Sequence, residues 1–180
     1  METERLVIRR FTPCDWRDLH AYLSEEETVR YEPYGVFTPE ASQQEAARSA
    51  QDSRFWAVCL KDGGKLIGNV TLTSQEYGTW EIGYVFGLAY RCAGYAAEAA
   101  GFLVNDCFDN HHARRVTALC NPLNTASWKL LERLGFRREG CFIQNISFKT
   151  DADGHPLWQD TYAYAILSAE WRARTHGTFR

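Results

Sequence analysis

The chain has 180 residues, 45% of them hydrophobic and 24% charged, with a formal net charge of −3. That length suits one domain (residues 1–180) able to bury its own core, in the globular rather than the disordered range. The slightly acidic balance offers no basic excess for a phosphate backbone and speaks against a nucleic-acid partner.

Met1-Glu2-Thr3-Glu4-Arg5 opens the chain with charge instead of an apolar leader, and no run is apolar enough to span a bilayer. The expectation is a soluble, cytoplasmic protein with no membrane partner. Cys14, Cys59, Cys92, Cys107, Cys120 and Cys141 form no C-x-x-C pair, and several lie in apolar runs such as Trp56-Ala57-Val58-Cys59-Leu60. They read as reduced core thiols, not as a disulfide framework or a metal site. His111-His112, adjacent in sequence, reads as a solvated turn, so no metal is expected.

In chain order, Leu6 to Arg10 alternates as a first strand. Thr12-Pro13 opens a helix, with Asp15 placed to favour its dipole. Thr38-Pro39-Glu40 opens a second helix, running to about Gln51. Between them lies the aromatic loop Tyr31-Glu32-Pro33-Tyr34-Gly35, which Pro33 keeps from being helical. Phe55 to Leu60 and Leu66 to Thr73 are strands joined by the turn Lys61-Asp62-Gly63-Gly64-Lys65. Thr79 to Phe86 is a further strand. From Gly94 to about Asp109 the period becomes helical, with Ala96, Ala100, Leu103 and Cys107 on one face. Arg115 to Cys120 is a strand, and Asn124 to Leu134 a helix that Gly135 stops in the left-handed region. Phe136 to Ile146 and Thr161 to Leu167 are the last strands, joined through the polar turn Asp151 to Pro156. The order β-α-α-β-β-β-α-β-α-β-β is mixed α/β, with parallel pairing towards the C-terminal half and antiparallel hairpins elsewhere.

The stretch Glu81-Ile82-Gly83-Tyr84-Val85-Phe86 runs into Arg91-Cys92-Ala93-Gly94-Tyr95-Ala96 and on into Glu98-Ala99. Here a strand feeds a helix through small residues, which let backbone N–H groups approach a ligand while the helix dipole faces it. Such a turn suits a pyrophosphate; equally, its small residues could only relieve crowding. No G-x-G-x-x-G and no Gly-Lys-Ser/Thr is present, so the dinucleotide and P-loop alternatives fit worse. A second constellation follows the strand Arg115 to Cys120: Asn121-Pro122-Leu123-Asn124-Thr125-Ala126-Ser127, then Glu132-Arg133-Leu134-Gly135-Phe136.

Taken in order, with Glu4-Arg5-Leu6-x-Ile8-Arg9 at the start and Trp158-x-Asp160-x-x-x-Tyr164 near the end, these motifs resemble the GNAT superfamily of N-acetyltransferases, in its RimJ/RimL-like branch. The resemblance implies the acyl-CoA N-acyltransferase fold, a twisted mixed sheet flanked by helices and split like a V at a bulge in the fourth strand, with acetyl-CoA as cosubstrate. It places the pantetheine arm on the backbone near Val85 and Phe86, and the pyrophosphate on the amides around Arg91, Cys92, Ala93, Gly94, Tyr95 and Ala96. Asn124 would bond the pantetheine, and Ser127 would lie near the thioester sulfur. The loop departs from the common Arg-Gly-Lys-Gly, reading Arg91-Cys92-Ala93-Gly94 and losing a lysine; Leu88 stands where a proline is common.

Acetyl transfer needs a neutral amine, donors for the tetrahedral oxyanion and a proton for the leaving thiolate. The resemblance puts the oxyanion donor at the backbone N–H near Val85. Glu81, an acid in an otherwise apolar strand, is the first choice as base, acting through a water. Burial would tune it for that work, or it makes a structural bond instead. Glu32 is a rival. Ser127 is the candidate acid for the thiolate, and both Ser127 and Asn124 also suit a helix start. Tyr31, Glu32 and Trp80 are the candidate acceptor-binding residues, with Tyr34 and Trp158 as further aromatics. Glu25-Glu26-Glu27 is a solvated helix end or an attractor for cations. Three functions stay open: acetylation of a protein N-terminus, acetylation of a small amine such as an aminoglycoside, polyamine or amino acid, and a non-catalytic acyl-CoA sensor on the same fold. The resemblance makes the protein a monomer or homodimer.

Overall fold

The strand β1 (Leu6–Arg9) leads into a sharp turn built on one acid. Asp15 takes the amide of Thr12 at 2.7 Å and two hydrogen bonds from the Arg9 guanidinium at 2.8 and 2.6 Å. The bidentate pair ties the strand to the start of the helix, and Arg9 and Thr12 together hold the Asp15 carboxyl below its usual range against the opposing effect of burial. The Pro13 signal first yields a 3-10 turn, Pro13–Asp15, and then α1 (Trp16–Leu23). There follow α2 (Glu26–Val29), α3 (Pro39–Gln51), β2 (Phe55–Leu60), β3 (Leu66–Ser74), β4 (Thr79–Phe86), α4 (Tyr95–Asp109), β5 (Arg115–Cys120), α5 (Thr125–Leu134), β6 (Arg137–Ile146), β7 (Gln159–Leu167) and α6 (Ser168–His176). These come from a computed structural model that describes residues 1–176.

The expected mixed α/β architecture is present. Seven strands form a mixed sheet in the hydrogen-bonded order β1-β2-β3-β4-β5-β7-β6. Two elements are additional. Four-residue α2 is too short to show a period, and α6 follows β7 without a break. The last strand starts earlier than expected, at Gln159 rather than Thr161.

The chain gathers into two compact units, Met1–Thr73 with Ile82–Leu103, and Ser74–Glu81 with the chain from Val104 onward. In the first, β2 pairs antiparallel with β1 and with β3, slipping by one residue at Val58/Cys59. Phe11, Leu19, Tyr22, Leu23, Val29, Ala57, Cys59, Leu66 and Val85 form its core, with Tyr34, Phe37 and Phe55 packed at the margin. Each large apolar side chain removed from water there contributes roughly 1.5–3 kcal/mol. In the second unit, β5 runs parallel to the start of β4 over Thr79–Glu81 and antiparallel to β7, which pairs in turn with β6. Phe108, Val116, Leu131, Tyr164 and Ile166 are buried there.

The cysteine expectation holds for half the set. Cys59, Cys107 and Cys120 are buried, whereas Cys14, Cys92 and Cys141 are exposed, because they fall on a turn, on the loop before α4 and on outward-facing β6. All six are free thiols. Among the described residues, no helix is long and apolar enough to cross a membrane.

Gly68 on β3 shows how tightly β4 is seated. A Cβ there would lie 2.5 Å from both Phe86 Cδ1 and the Val85 carbonyl oxygen. One of these is backbone, so the clash cannot be relieved by rotating a side chain. Gly68→Ala is expected to cost about 1–3 kcal/mol of unfolding free energy, measured by urea titration. A loss under about 0.5 kcal/mol would show that β4 gives way easily at this point.

Candidate active site

The turn between β4 and α4 is shaped by three backbone features. Leu88–Tyr90 forms a 3-10 turn, Cys92 takes a positive φ of 61°, and Gly94 takes 86°. Only glycine adopts the Gly94 conformation without strain. The chain then enters α4 at Tyr95, whose first intrahelical-type bond is Glu98 N–H to Gly94 O at 3.0 Å. The amides of Cys92 through Ala97 take no part in the backbone bonds that close this loop. They form a run of donors at the positive end of a fifteen-residue helix, which is the chemistry an anion such as a pyrophosphate requires.

The loop is held from several sides within its own unit. Leu88 N–H donates to Glu25 Oε2 at 3.2 Å, and Arg91 Nη2 donates to the Glu27 carbonyl at 3.4 Å. Glu25 also accepts from Thr28 Oγ1 at 2.7 Å. The run Glu25-Glu26-Glu27 is therefore more than a solvated helix end: it fastens the loop. Val85 and Phe86, the residues just before it, are nearly buried, with Val85 in the core of the unit.

Under the aromatic loop lies a cavity of about 120 Å³. Phe11, Leu23, Phe37 and Phe55 supply apolar walls, and Tyr34, Glu45 and Asn69 supply polar ones. Asn69 Oδ1 accepts from Tyr22 Oη at 2.9 Å, and Glu45 is committed to Arg48 and Ser49. Glu32 is different. Burial pushes its carboxyl up to about 7, and the Tyr34 hydroxyl that bonds it offsets only part of that rise. Tyr31 lies beside it, half-buried.

In the second unit, Glu81 does not sit in the apolar surroundings expected of it. It is partly exposed, and its Oε2 accepts from Gln75 Nε2 at 3.0 Å. Trp80, its neighbour, stacks on His111 with ring centroids 4.8 Å apart. Asn124 caps α5, its Oδ1 accepting from Ser127 N–H at 3.2 Å. The Ser127 hydroxyl bonds the Cys120 thiol, which burial nonetheless pushes up to about 11. So β5 and the start of α5 together place Asn124, Ser127 and Cys120, and Cys120 is the member of this group that sequence reasoning did not single out. Its neighbour network continues in Tyr164 Oη, which donates to Glu132 Oε1 at 2.9 Å. Trp158 is exposed. Asp151, Asp153 and His155 bring possible ligand atoms within 4.8 Å of one another, all exposed, on a turn that Asp151 stitches by accepting the amides of Asp153 and His155.

The comparisons with known proteins agree with one another. The family model described as an acetyltransferase (GNAT) domain matches residues 5–137. YnaD of Bacillus subtilis, an uncharacterized N-acetyltransferase, is 36% identical over 172 residues, covering 94% of this chain and 97% of its own. Among solved structures, a GNAT-family acetyltransferase from Bacillus anthracis superposes with a TM-score of 0.85 at 35% identity, covering 94% of this chain and 99% of that one. A GCN5-related N-acetyltransferase from Brucella melitensis gives the same TM-score at 25% identity, over 97% and 81%.

The desolvated Glu32 has a consequence for stability. Its folded-state value lies above the ordinary 4.5, so the folded protein holds a proton that the unfolded chain releases between about pH 4.5 and 7. Wild-type stability attributable to this group is therefore full below that window and is lost as the pH rises through it. Glu32→Gln removes the dependence. The variant's melting temperature minus the wild type's should be larger at pH 8 than at pH 5; a gap independent of pH would show that Glu32 is well solvated.

Proposed function

The chain belongs to the GNAT acetyltransferase family, and from that premise we propose that it transfers an acetyl group directly from acetyl-CoA to the primary amine of a small cationic molecule. The observation that carries the acceptor class is the pocket under the aromatic loop. At about 120 Å³ it holds an alkyl or aryl amine arm rather than a folded chain end; its lining includes Tyr34, whose hydroxyl bonds the neighbouring Glu32, and burial leaves that carboxyl favouring a neutralising cation. Within the family, our reading of the motifs taken in order is the RimJ/RimL-like branch.

Acetyl-CoA supplies the activated acetyl group, and the residues present suit it. The pyrophosphate takes the donors from Cys92 to Ala96, with Arg91 anchoring the loop's entry and Val85 and Phe86 presenting backbone to the pantetheine. Asn124 caps its helix through Oδ1, which leaves its amide nitrogen as the donor we assign to the pantetheine. The amine reaches the site as an ammonium and must lose a proton. Glu81, whose Oε2 accepts from the Gln75 side-chain amide, is the group we assign to take that proton through water. The Val85 amide region stabilises the oxyanion. As the tetrahedral intermediate collapses, Ser127 passes a proton to the departing thiolate and regains one from the cationic nitrogen of that intermediate. Glu32 and Tyr31 are assigned to hold the amine's charge and body, and Trp80, which stacks on His111, is the further aromatic candidate for the acceptor.

A second reading, acetylation of a protein N-terminus, draws on the exposed apolar residues Phe142, Ile143, Leu157 and Trp158, which a polypeptide could cover. Turnover of acetyl-CoA over matched panels separates the two. Polyamines, aminoglycosides and arylalkylamines should give a kcat/KM at least tenfold above N-terminal peptides. The reverse order would assign the protein-directed activity, and tight CoA binding without turnover of any amine would leave a sensor.

Two variants test the roles. Glu32→Gln should raise KM for the cationic acceptor about tenfold while leaving KM for acetyl-CoA unchanged. Ser127→Ala should lower kcat and kcat/KM together by about 10²-fold, since a proton to the leaving group is needed only at the transition state. Normal kinetics with reduced melting temperature would make Ser127 a helix-start residue alone.

A further inference from the structure

Arg5 sits on the N-terminal arm, almost ninety positions before the loop it touches. Its Nη1 donates to the Ala93 carbonyl at 2.9 Å. Its Nε and Nη2 both lie 2.7 Å from Glu98 Oε2, in the first turn of α4. Its backbone amide donates to Glu98 Oε1 at 2.9 Å, and Thr3 Oγ1 donates to the same oxygen at 2.5 Å. The guanidinium carbon stands 4.6 Å from the centroid of the Tyr95 ring. A Cβ added to Gly94 would meet Arg5 Nη2 first, at 3.2 Å. One side chain thus fixes Ala93, Gly94, Tyr95 and Glu98, the residues whose amides and flanks make up the anion-binding turn.

We propose that Arg5 is a positioning residue for the pyrophosphate turn, holding its backbone donors in the ligand-binding conformation from outside the loop. The proposal rests on the acetyl-CoA reading above. The turn needs such a brace. It carries two positive-φ residues in three positions, Cys92 and Gly94, and the strained one has a side chain. Its own sequence lacks a lysine that could pull it towards a phosphate. Arg5 does not replace that charge, because Glu98 neutralises it. What it supplies is geometry: a planar fork that bonds a carbonyl on one side and a carboxylate on the other while stacking on an aromatic ring. The Glu98 carboxyl, held below its usual range by Thr3 and Arg5 in spite of partial burial, stays ionised to receive the fork. An amine of lysine at position 5 could pair with Glu98 but could not also bridge to Ala93.

Calorimetry with CoA on the full-length protein tests this. Wild type is expected to bind; Arg5→Ala and Arg5→Lys are both expected to raise Kd by roughly ten- to a hundredfold at unchanged stoichiometry, because pre-organisation is lost in each. The loss should be confined to ligands that carry the pyrophosphate, so kcat/KM with S-acetylpantetheine should change less than twofold. Arg5→Lys retains the charge and the Glu98 pair and so guards against a variant that fails to fold. Wild-type affinity in Arg5→Lys would mean that charge alone matters and would overturn the proposal, as would a fall in stoichiometry at constant Kd, or equal losses with both acetyl donors. A wild-type protein that does not bind CoA would overturn the cosubstrate reading itself.

Discussion

The first turn of α4 sets a constraint on everything around it. Helix geometry leaves its leading N–H groups without acceptors, and the preceding residues extend that row back to Cys92 instead of hiding it. Water or an anion must fill the row. Bonds from neighbouring residues hold the segment that carries the row. Glu25 fastens the loop at Leu88, Arg91 reaches Glu27, and Arg5 clamps Ala93 to Glu98. Gly68 lets Phe86 and the Val85 carbonyl lie against β3, closer than any side chain there would allow. Charge-assisted bonds to backbone of this kind are stronger than neutral ones, and here they are spent on a segment that the hydrophobic core does not reach.

Electrostatics divides the carboxylates by task. Asp15, Glu98 and Asp52 are paired with arginines and held low. They act as permanent anions that lock backbone. Glu32 is the exception, desolvated and helped only by a tyrosine. A group left near 7 costs stability at neutral pH, and a protein keeps such a cost where a ligand relieves it. The proposed contact for the acceptor's charge is therefore Glu32 and not the exposed turn Asp151–His155, where two carboxyl groups and an imidazole meet at the surface.

Much of this was legible from residue order. Thr12-Pro13 and Thr38-Pro39 marked helix starts, Gly135 marked a stop at φ 93°, and alternation gave the strands, because caps, turns and periods are local signals. The motifs around Arg91–Ala96 and Asn124–Ser127 were legible for the same reason: each lies within a single strand–loop–helix passage. What escaped was non-local or too short for a period. Four-residue α2 has less than two turns to display a pattern. The exposure of Cys92 and Cys141 depends on how their segments fold back, which an apolar neighbour cannot reveal. Nor did the apolar strand around Glu81 predict a partly exposed carboxylate bonded to Gln75, since that bond crosses a turn with a left-handed Tyr77 in it.

The same distinction explains why the sites differ in what they owe to sequence. A backbone-built anion site asks for small residues at given spacings, so it leaves a readable trace, and its donors are amides common to all residues but proline, which Cys92-Ala93 keeps. The cavity proposed for the acceptor is built from side chains on α1, the aromatic loop, α3 and β3, whose spacing in the chain carries no period. Tyr34, Glu45 and Asn69 become neighbours only when α1 and α3 pack on the sheet. On the proposed reading, donor binding is a property of one segment and acceptor binding a property of the packing. Substitution at the proposed pocket would then change the amine without disturbing the proposed cosubstrate turn, which Arg5 and Glu25 hold by bonds of their own.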